Sequence, residues 1–467
     1  MHSRTIAVLG AGMAGLAAAL TLARDGHQVT LVERDPLGNS APDQAFAWER
    51  KGISHFQQPH AFIPRGRLEL VEYFPDVYAS LIREGAHDID ARRKLPGELE
   101  PVDSVLQFMG VRRPLIEWAL RKAVLTQAGI EVLSGVAARG IRVAKGSVEG
   151  VDVDGRAITT DLVIDAMGRR SPVRGWLEQQ GVVLPPQQRG ECGVIYYSRY
   201  YRVRPGNTLP DGPWILGPRG DLGYMSFTTF PGDNDTFAVV FGVPTGVPEL
   251  KSMMYERVFQ AAVESVPLLM RWAVPERVEP VTGVLPMGGL QNTITLPGDA
   301  WPAGLFPVGD ALCHTDPVLA HGLSLSLIHA LEAARALRAH AEPRDALAAY
   351  RAAVMPVLIE RYELAVALDE QRLRMWTGGT VDYARKDGDY ALFSFVAAGA
   401  VAMVDPEVYR LYVRRMGLLD STRVLDSDER LKQRIEDVFR GMLAKPRPSS
   451  GPSRDAMLAL IGEALQA

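Results

Sequence analysis

The sequence predicts an α/β protein: a parallel-sheet domain carrying a β-meander, a separate antiparallel sheet and a helical C-terminal region. Three observations predict it. The apolar run Ile6 to Leu9 passes through Gly10-x-Gly12-x-x-Gly15 into a helical pattern, the order that a buried strand, a tight turn and a helix require. Short segments from Val136 to Thr159 are joined by Lys145-Gly146 and Asp154-Gly155, turn pairs that hairpins favour. From about Val183 to Leu285 long alternating strands replace the helical spacing.

The elements follow in order. After the strand Ile6 to Leu9, the glycines let bare backbone approach a pyrophosphate. The helix Ala14 to Arg24 then aims free N–H groups and roughly half a positive charge at it. Gly15 lets helix and strand pack closely. Gln28 to Glu33 is the next strand, and the Glu33 carboxylate at its end suits a ribose diol and repels a 2′-phosphate, so the ligand is FAD or NAD rather than NADP. Arg34, next to Glu33, has two open readings, contact with adenosine or a surface role. Asp35 to Gly66 is an irregular loop, too long for a simple connection, and holds Arg50, Lys51, His55, Gln58, Pro59 and His60.

Arg67 to Gly85 reads as a helix broken at Pro75, and Val111 to Leu125 as a helix with Pro114 in its first turn, where the missing N–H costs nothing. Ile130 to Leu133 starts a strand. The meander follows as Val136 to Val143, Ser147 to Val153 and Arg156 to Thr159, and then the core strand Leu162 to Asp165, which runs on to Gly168. The antiparallel stretch is expected to hold strands Val194 to Val203, Trp214 to Leu216, Tyr224 to Phe230 and Thr236 to Val243, with Pro231 to Asn234 closing the last hairpin. Tyr196, Tyr197, Tyr200 and Tyr201 fall on both faces of their strand. Leu305 to Asp310 returns to the first domain, a long helix spans about Leu323 to His340, and the chain is mostly helical from Leu347. Lys445 to Pro452 is a joint before a final short helix. The domains read as 1–182 with 286–345, then 183–285, then 346–467.

Composition narrows the function. At 467 residues and 47% apolar content the chain is expected to form two or three domains. A net charge of −4 with both signs interspersed gives no basic field for nucleic acid. The two cysteines, Cys192 and Cys313, are far apart, which argues against a disulfide framework, a dithiol centre or a cysteine-based zinc site. His314, His321 and His329 lack ligand spacing, so no metal is expected. No secretory signal precedes the first strand, and Leu392 to Val404 is short of the roughly 20 residues of a membrane span. A cytoplasmic protein is the expectation.

Three motifs together resemble the FAD-dependent, para-hydroxybenzoate hydroxylase-like monooxygenases (group A), over roughly residues 1 to 345. They are Gly10, Gly12 and Gly15 with Glu33; Asp161-Leu-Val-Ile-Asp165-Ala-Met-Gly168, which has Met167 where the family usually has Thr or Asp; and Gly309-Asp310 followed by Pro317 and Gly322. The resemblance implies an FAD-binding, Rossmann-like domain of the glutathione-reductase type and a substrate domain on the antiparallel sheet. FAD would be held by Gly10, Gly12, Met13, Ala14, Gly15, Glu33, Arg34, Arg113, Asp165, Gly168, Gly309, Asp310, Gly322 and Leu323. Asp310 would bind the ribityl chain, Pro317 would shape the backbone beside the reactive flavin edge, and the helix from Gly322 would face the pyrimidine edge. A helix N-terminus is worth roughly 0.3 to 2 kcal/mol to a nearby negative charge.

The resemblance also implies a reaction. One oxygen atom passes from a flavin hydroperoxide to a small apolar substrate, by hydroxylation or epoxidation. With one dinucleotide fingerprint, electrons come from transiently docked NADPH or NADH or from a separate flavin reductase. The loop, the tyrosine-rich strand and the helical tail look closer to the secondary-metabolism branch of these enzymes. Rival readings are an ene-reductase resembling geranylgeranyl reductase, a tryptophan-halogenase-type halogenase, for which no Trp-x-Trp-x-Ile-Pro segment or carrier lysine is found, and a flavin-binding protein without turnover.

Overall fold

The computed structural model describes residues 3–38, 41–445 and 450–466. Its first sheet is parallel, in the order Leu305–Pro307, Leu162–Asp165, Thr5–Leu9, Gln28–Glu33, Ile130–Ser134. Register aligns the strand ends: Leu9 lies opposite Val32 and Asp165, and Asp165 opposite Pro307. Gly10, Ala166 and Val308 therefore leave the sheet side by side, each donating its N–H to a neighbouring strand. Ligands of open α/β sheets bind at such carboxyl edges. The central strands Thr5–Leu9 and Leu162–Asp165 are buried on both faces, as their apolar runs require, whereas the edge strand Ile130–Ser134 is partly exposed. The helices Met13–Arg24, Arg113–Thr126 and Gly322–Ala339 pack beside one another.

The meander forms as expected from Ala138–Ala144, Ser147–Val153 and Arg156–Thr159, and the break at Pro75 divides Pro64–Tyr73 from Pro75–Arg83. The second sheet runs Arg219–Asp221, Ser226–Pro231, Thr236–Pro244, Val194–Val203, Val278–Pro280, with Leu285–Met287 also paired to Val194–Val203. Three expectations for this stretch need correction. Trp214–Leu216 is not a strand; Gly212-Pro213 and Gly217-Pro218 flank it, and prolines withhold ladder donors. Thr236–Pro244 is buried throughout rather than alternating. The helices Glu256–Ser265 and Pro267–Trp272 interrupt the strands. They cover one face of the sheet: Tyr197, Tyr201, Phe237 and Phe241 pack with Val258, Phe259 and Leu269, while Tyr196 and Val240 face the other way, toward Trp376. A small sheet of Gln188–Glu191, Gln291–Ile294 and Cys313–His314 and an antiparallel pair of His87–Asp90 with Gln107–Gly110 complete the strands described.

The C-terminal region opens with the helix Pro343–Trp376, which continues through Pro356. The apolar run after Leu392 is helical, with a π-turn at Phe393–Ala397, and is largely buried. Among the described residues no helix is long and apolar enough to cross a membrane. The expected joint at 445–452 lies partly outside the described residues, at 446–449. The last helix, Arg454–Gln466, packs on Glu256–Ser265 and places Met457 and Ile461 in the core of the antiparallel sheet.

Candidate functional site: a two-ended cleft beside the parallel sheet

At the carboxyl edge of the parallel sheet lies a cleft of about 750 Å³, toward the upper end for small-molecule sites. It is lined by Gly10, Gly12, Met13, Ala14, Glu33, Arg34 and Arg113 at one end and by Gly309, Asp310, Pro317, Gly322 and Leu323 at the other, with Gly168 between. The amino-terminal glycines and the turn near residue 310 thus share one cavity. Two expected residues stand outside it. A Cβ at Gly15 would lie 1.8 Å from Gly10 O, so Gly15 serves the helix–strand contact. Asp165 is buried behind the wall, where it accepts from Met167 N at 3.1 Å and Ser171 Oγ at 2.6 Å. Burial pushes its carboxyl up to about 6, against those two donors.

The residues present fit an adenine dinucleotide. Gly10 has φ +98°, and a Cβ there would meet Ala166 O at 2.6 Å, so only glycine fits the turn. Gly12 precedes Met13–Arg24 without a side-chain cap, and the first turn has no acid; its amides are free for a diphosphate. Glu33 Oε2 accepts from Ala11 N at 2.7 Å and Arg50 Nη2 at 2.6 Å, and Oε1 from Asp35 N at 2.8 Å. A carboxylate offers about four acceptor sites, which leaves one for a ribose hydroxyl. Arg50 also reaches Glu117 Oε2 at 3.1 Å, and Arg113 Nε reaches Glu117 Oε1 at 2.7 Å. This buried chain of alternating charge holds the loop against the Glu33 end of the cleft. Sequence reasoning named Arg50 and Arg113 but missed Glu117, whose i,i+4 spacing from Arg113 was the available signal.

At the other end, Asp310 Oδ2 lies 3.4 Å from His314 Nδ1. Burial opposes its charge, yet His314, with His55 and Arg113 beyond, holds its carboxyl below the usual range. His55 and His60, from the long loop, also line the cleft. Burial, then the Arg113 charge, pushes His60 down to about 3 and His55 well below its ordinary value. His329 Nδ1 accepts from Gly309 N at 3.0 Å and so fixes the turn before Asp310; burial pushes it down to about 4. Pro317–Leu319 is a single 3-10 turn, and Ala320 after it is left-handed at φ 55°. Gly322–Ala339 then begins with no side-chain cap and no acid in its first turn.

Beneath Pro317 is a junction that sequence reasoning did not find. Asp316 accepts from Tyr196 Oη at 2.7 Å and Arg372 Nη2 at 2.8 Å. Arg372 Nη2 also donates to Asp369 Oδ1 at 2.7 Å, and Asn292 Nδ2 to Asp369 Oδ2 at 2.8 Å. Burial and the Asp316 charge push Asp369 up to about 8. Ligand atoms of Cys192, Asp316 and Asp369 lie within 4.8 Å of one another, but the carboxylate oxygens are already taken by these donors. Against the cleft, the antiparallel sheet and the segment after it supply Phe230, Met287 and Leu290, an apolar wall.

Comparisons with known proteins agree with this geometry. Residues 5–102 match the family of FAD dependent oxidoreductases. Rv3254 of Mycobacterium tuberculosis is 23% identical over 486 aligned residues, covering 95% of this chain and 96% of its own. Among solved structures, PqsL of Pseudomonas aeruginosa, described as a probable FAD-dependent monooxygenase, superposes with TM-score 0.57 at 19% identity, covering 80% of this chain and 98% of its own. The flavin-dependent brominase Bmp2 superposes with TM-score 0.58 at 16% identity over 95% of this chain and 98% of its own. Residues 5–102 thus carry the FAD-dependent oxidoreductase signature, and the chain has the fold of FAD-dependent monooxygenases, in line with its para-hydroxybenzoate hydroxylase-like motifs.

Proposed function

We propose that the protein is an FAD-dependent monooxygenase that adds one oxygen atom to a small apolar organic substrate, by hydroxylation or epoxidation. One observation carries this reading: a single cleft joins two uncapped helix N-termini to an apolar wall of the antiparallel sheet region. When bound, FAD supplies the electron transfer and the activation of O2, which no side chain here provides. The amides after Gly12 and the Arg113 guanidinium hold the diphosphate, Glu33 takes a ribose hydroxyl and Asp310 takes the ribityl chain. Pro317 and the amides of Gly322 and Leu323 position the ring.

Phe230, Met287 and Leu290 seat the substrate and exclude water, whose entry would divert reduced oxygen to hydrogen peroxide. Residues 183–285 are read as the substrate domain, with Met287 and Leu290 of the segment after it completing the apolar wall, and NADH, NADPH or a separate flavin reductase as the electron source. The test is direct: protein reconstituted with FAD should be yellow, and with reductant and candidate substrates it should consume O2 and give a product heavier by one oxygen atom. Substrate reduction without O2 would select the ene-reductase reading instead.

The Bmp2 likeness, which extends over the C-terminal helices, supports a second reading, halide oxidation. Against it, among the described residues no lysine lines the cleft; Lys51 in the long loop is exposed. Product formation that requires bromide or chloride would favour it.

A further inference from the structure

One buried cluster beside the cleft holds more carboxylate than cation. Asp316 precedes Pro317 and lines the cleft, Asp369 sits on Pro343–Trp376, and each is 1% exposed. A single guanidinium nitrogen serves both: Arg372 Nη2 donates to Asp316 Oδ2 at 2.8 Å and to Asp369 Oδ1 at 2.7 Å. Among the described residues the pair meets no second cation at ion-pair distance. Its other donors are neutral. Tyr196 Oη and Val318 N reach Asp316 Oδ1 at 2.7 and 2.8 Å, and Asn292 Nδ2 reaches Asp369 Oδ2 at 2.8 Å. Asn292 Oδ1 in turn accepts from Asp316 N at 2.6 Å, so Asn292 bridges the two acids.

Two carboxylates beside one guanidinium leave a buried negative charge uncompensated, and adjacent acids in such a site ionise in turn rather than together. Burial, then the Asp316 charge, pushes Asp369 up to about 8. Asp316 goes the other way: burial opposes its charge, but Arg372 and its hydrogen bonds, one of them to Asp369, hold its carboxyl below the usual range. The remaining groups of the cluster keep one state. Burial, then the Asp316 charge, pushes up the Cys192 thiol and the Tyr196 phenol, so both stay protonated. Burial opposes the Arg372 charge, and Tyr196, Asp316 and Asp369 outweigh it. Asp221, which also feels Arg372, is bonded to Trp376 Nε1 at 2.9 Å and Gly223 N at 2.7 Å.

We propose that Asp369 is a positioning residue: it carries a proton that it donates to Asp316, and this shared proton keeps the Asp316-Pro317 turn seated at the cleft. The seat joins three parts of the chain, the small sheet through Asn292, the antiparallel sheet through Tyr196 and the C-terminal region through Asp369 and Arg372. Loss of the proton sets a second negative charge against Asp316, whose Oδ1 also fixes the amide of Val318. The turn should then loosen in alkali. Its effect on the cofactor rests on the FAD reading above; the shared proton does not.

Two measurements test it without cofactor. Infrared spectra of the natural protein near neutrality should show a protonated-carboxyl band that fades as the pH passes about 8 and that is missing from Asp369→Asn. Hydrogen exchange, corrected for its intrinsic dependence on pH, should show the segment with Val318 and Ala320 losing protection over the same range. Asp369→Asn keeps a donor toward Asp316 but cannot titrate, so its protection should stay constant. A natural protein without the band, or with turn protection that is unchanged on both sides of pH 8, would overturn the proposal, and both results stand even if the variant does not fold.

FAD affinity is the third measurement. The natural protein should bind FAD more weakly as the pH rises past about 8, by up to about tenfold per pH unit, the limit for one linked proton. Asp369→Asn should give a flat profile over that range. A variant whose affinity falls as steeply as that of the natural protein would overturn the positioning role. If the natural protein takes up no FAD, the functional reading fails; turn protection that follows the carboxyl band would still support the shared proton, and protection that ignores it would overturn it.

Discussion

Arg372 Nη2 stands 2.8 Å from Asp316 Oδ2, and Asp316 immediately precedes Pro317. A helix of the C-terminal region therefore holds the turn that brings Pro317 to the cleft. Removing one partner of a buried pair commonly costs about 3–5 kcal/mol, because the remaining charge is stranded. Arg372→Met should lower stability by about that amount in denaturant titration, and Asp316→Asn in the same background should recover part of it. A loss under about 1 kcal/mol, the range of surface pairs, would show that the junction does not carry the turn.

Gly12 and Gly15 should separate binding from folding. A Cβ at Gly12 would meet Ile53 Cδ1 at 3.6 Å and Arg113 Nη2 at 3.8 Å, ordinary contacts, whereas at Gly15 it would collide with Gly10 O. Gly12→Val should give folded, colourless protein, and Gly15→Ala should lower the melting temperature. A yellow Gly12→Val protein would remove the diphosphate from this turn.

Asp310→Ala takes away the carboxylate that lines the cleft, faces His314 and is proposed to take the ribityl chain. FAD should bind about tenfold or more weakly, since a hydrogen bond to a charged group is worth roughly 1.5–3 kcal/mol, and turnover should slow. Unchanged FAD affinity by equilibrium titration would place the ribityl chain elsewhere.

Acid should destabilise the native state through its buried imidazoles. His329 titrates near 4 when folded and about 6.5 when unfolded. Between those values the unfolded chain binds more protons, so this contribution is full above about pH 6.5 and is lost as pH falls toward 4. At pH 5 the loss is on the order of 2 kcal/mol from His329, with His60 acting in the same sense. His329→Gln should flatten the decline between pH 7 and 5 in denaturant midpoints, and an equally steep decline would exclude His329 as a source.

Ala320 occupies the left-handed region at φ 55°, which costs a non-glycine residue roughly 1–2 kcal/mol. Glycine gives back about 0.4–1 kcal/mol through the unfolded chain. Ala320→Gly should therefore be neutral to slightly stabilising, and Ala320→Val destabilising. A fall in melting temperature for the glycine variant would refute the strain.

What the sequence revealed was local. Gly10, Gly12, Glu33 and the Gly309-Asp310 turn are legible because backbone demands fix their spacing within one strand–turn–helix unit. The meander was legible from its turn residues. The Arg50–Glu117 and Asp316–Arg372 contacts were not, since they join residues 67 and 56 apart, and no short-range pattern encodes which distant buried charges meet. Trp214–Leu216 was misread because apolar content outweighed the prolines around it.

The closing helix Arg454–Gln466 lies across Glu256–Ser265, and Tyr224 Oη donates to Pro452 O at 2.9 Å. The polypeptide tail is thus a clasp on a module encoded some two hundred positions earlier. Shortening the tail would remove Met457 and Ile461 from the core of the antiparallel sheet and present a greasy flank to solvent, so such truncations should clump before they lose any chemistry.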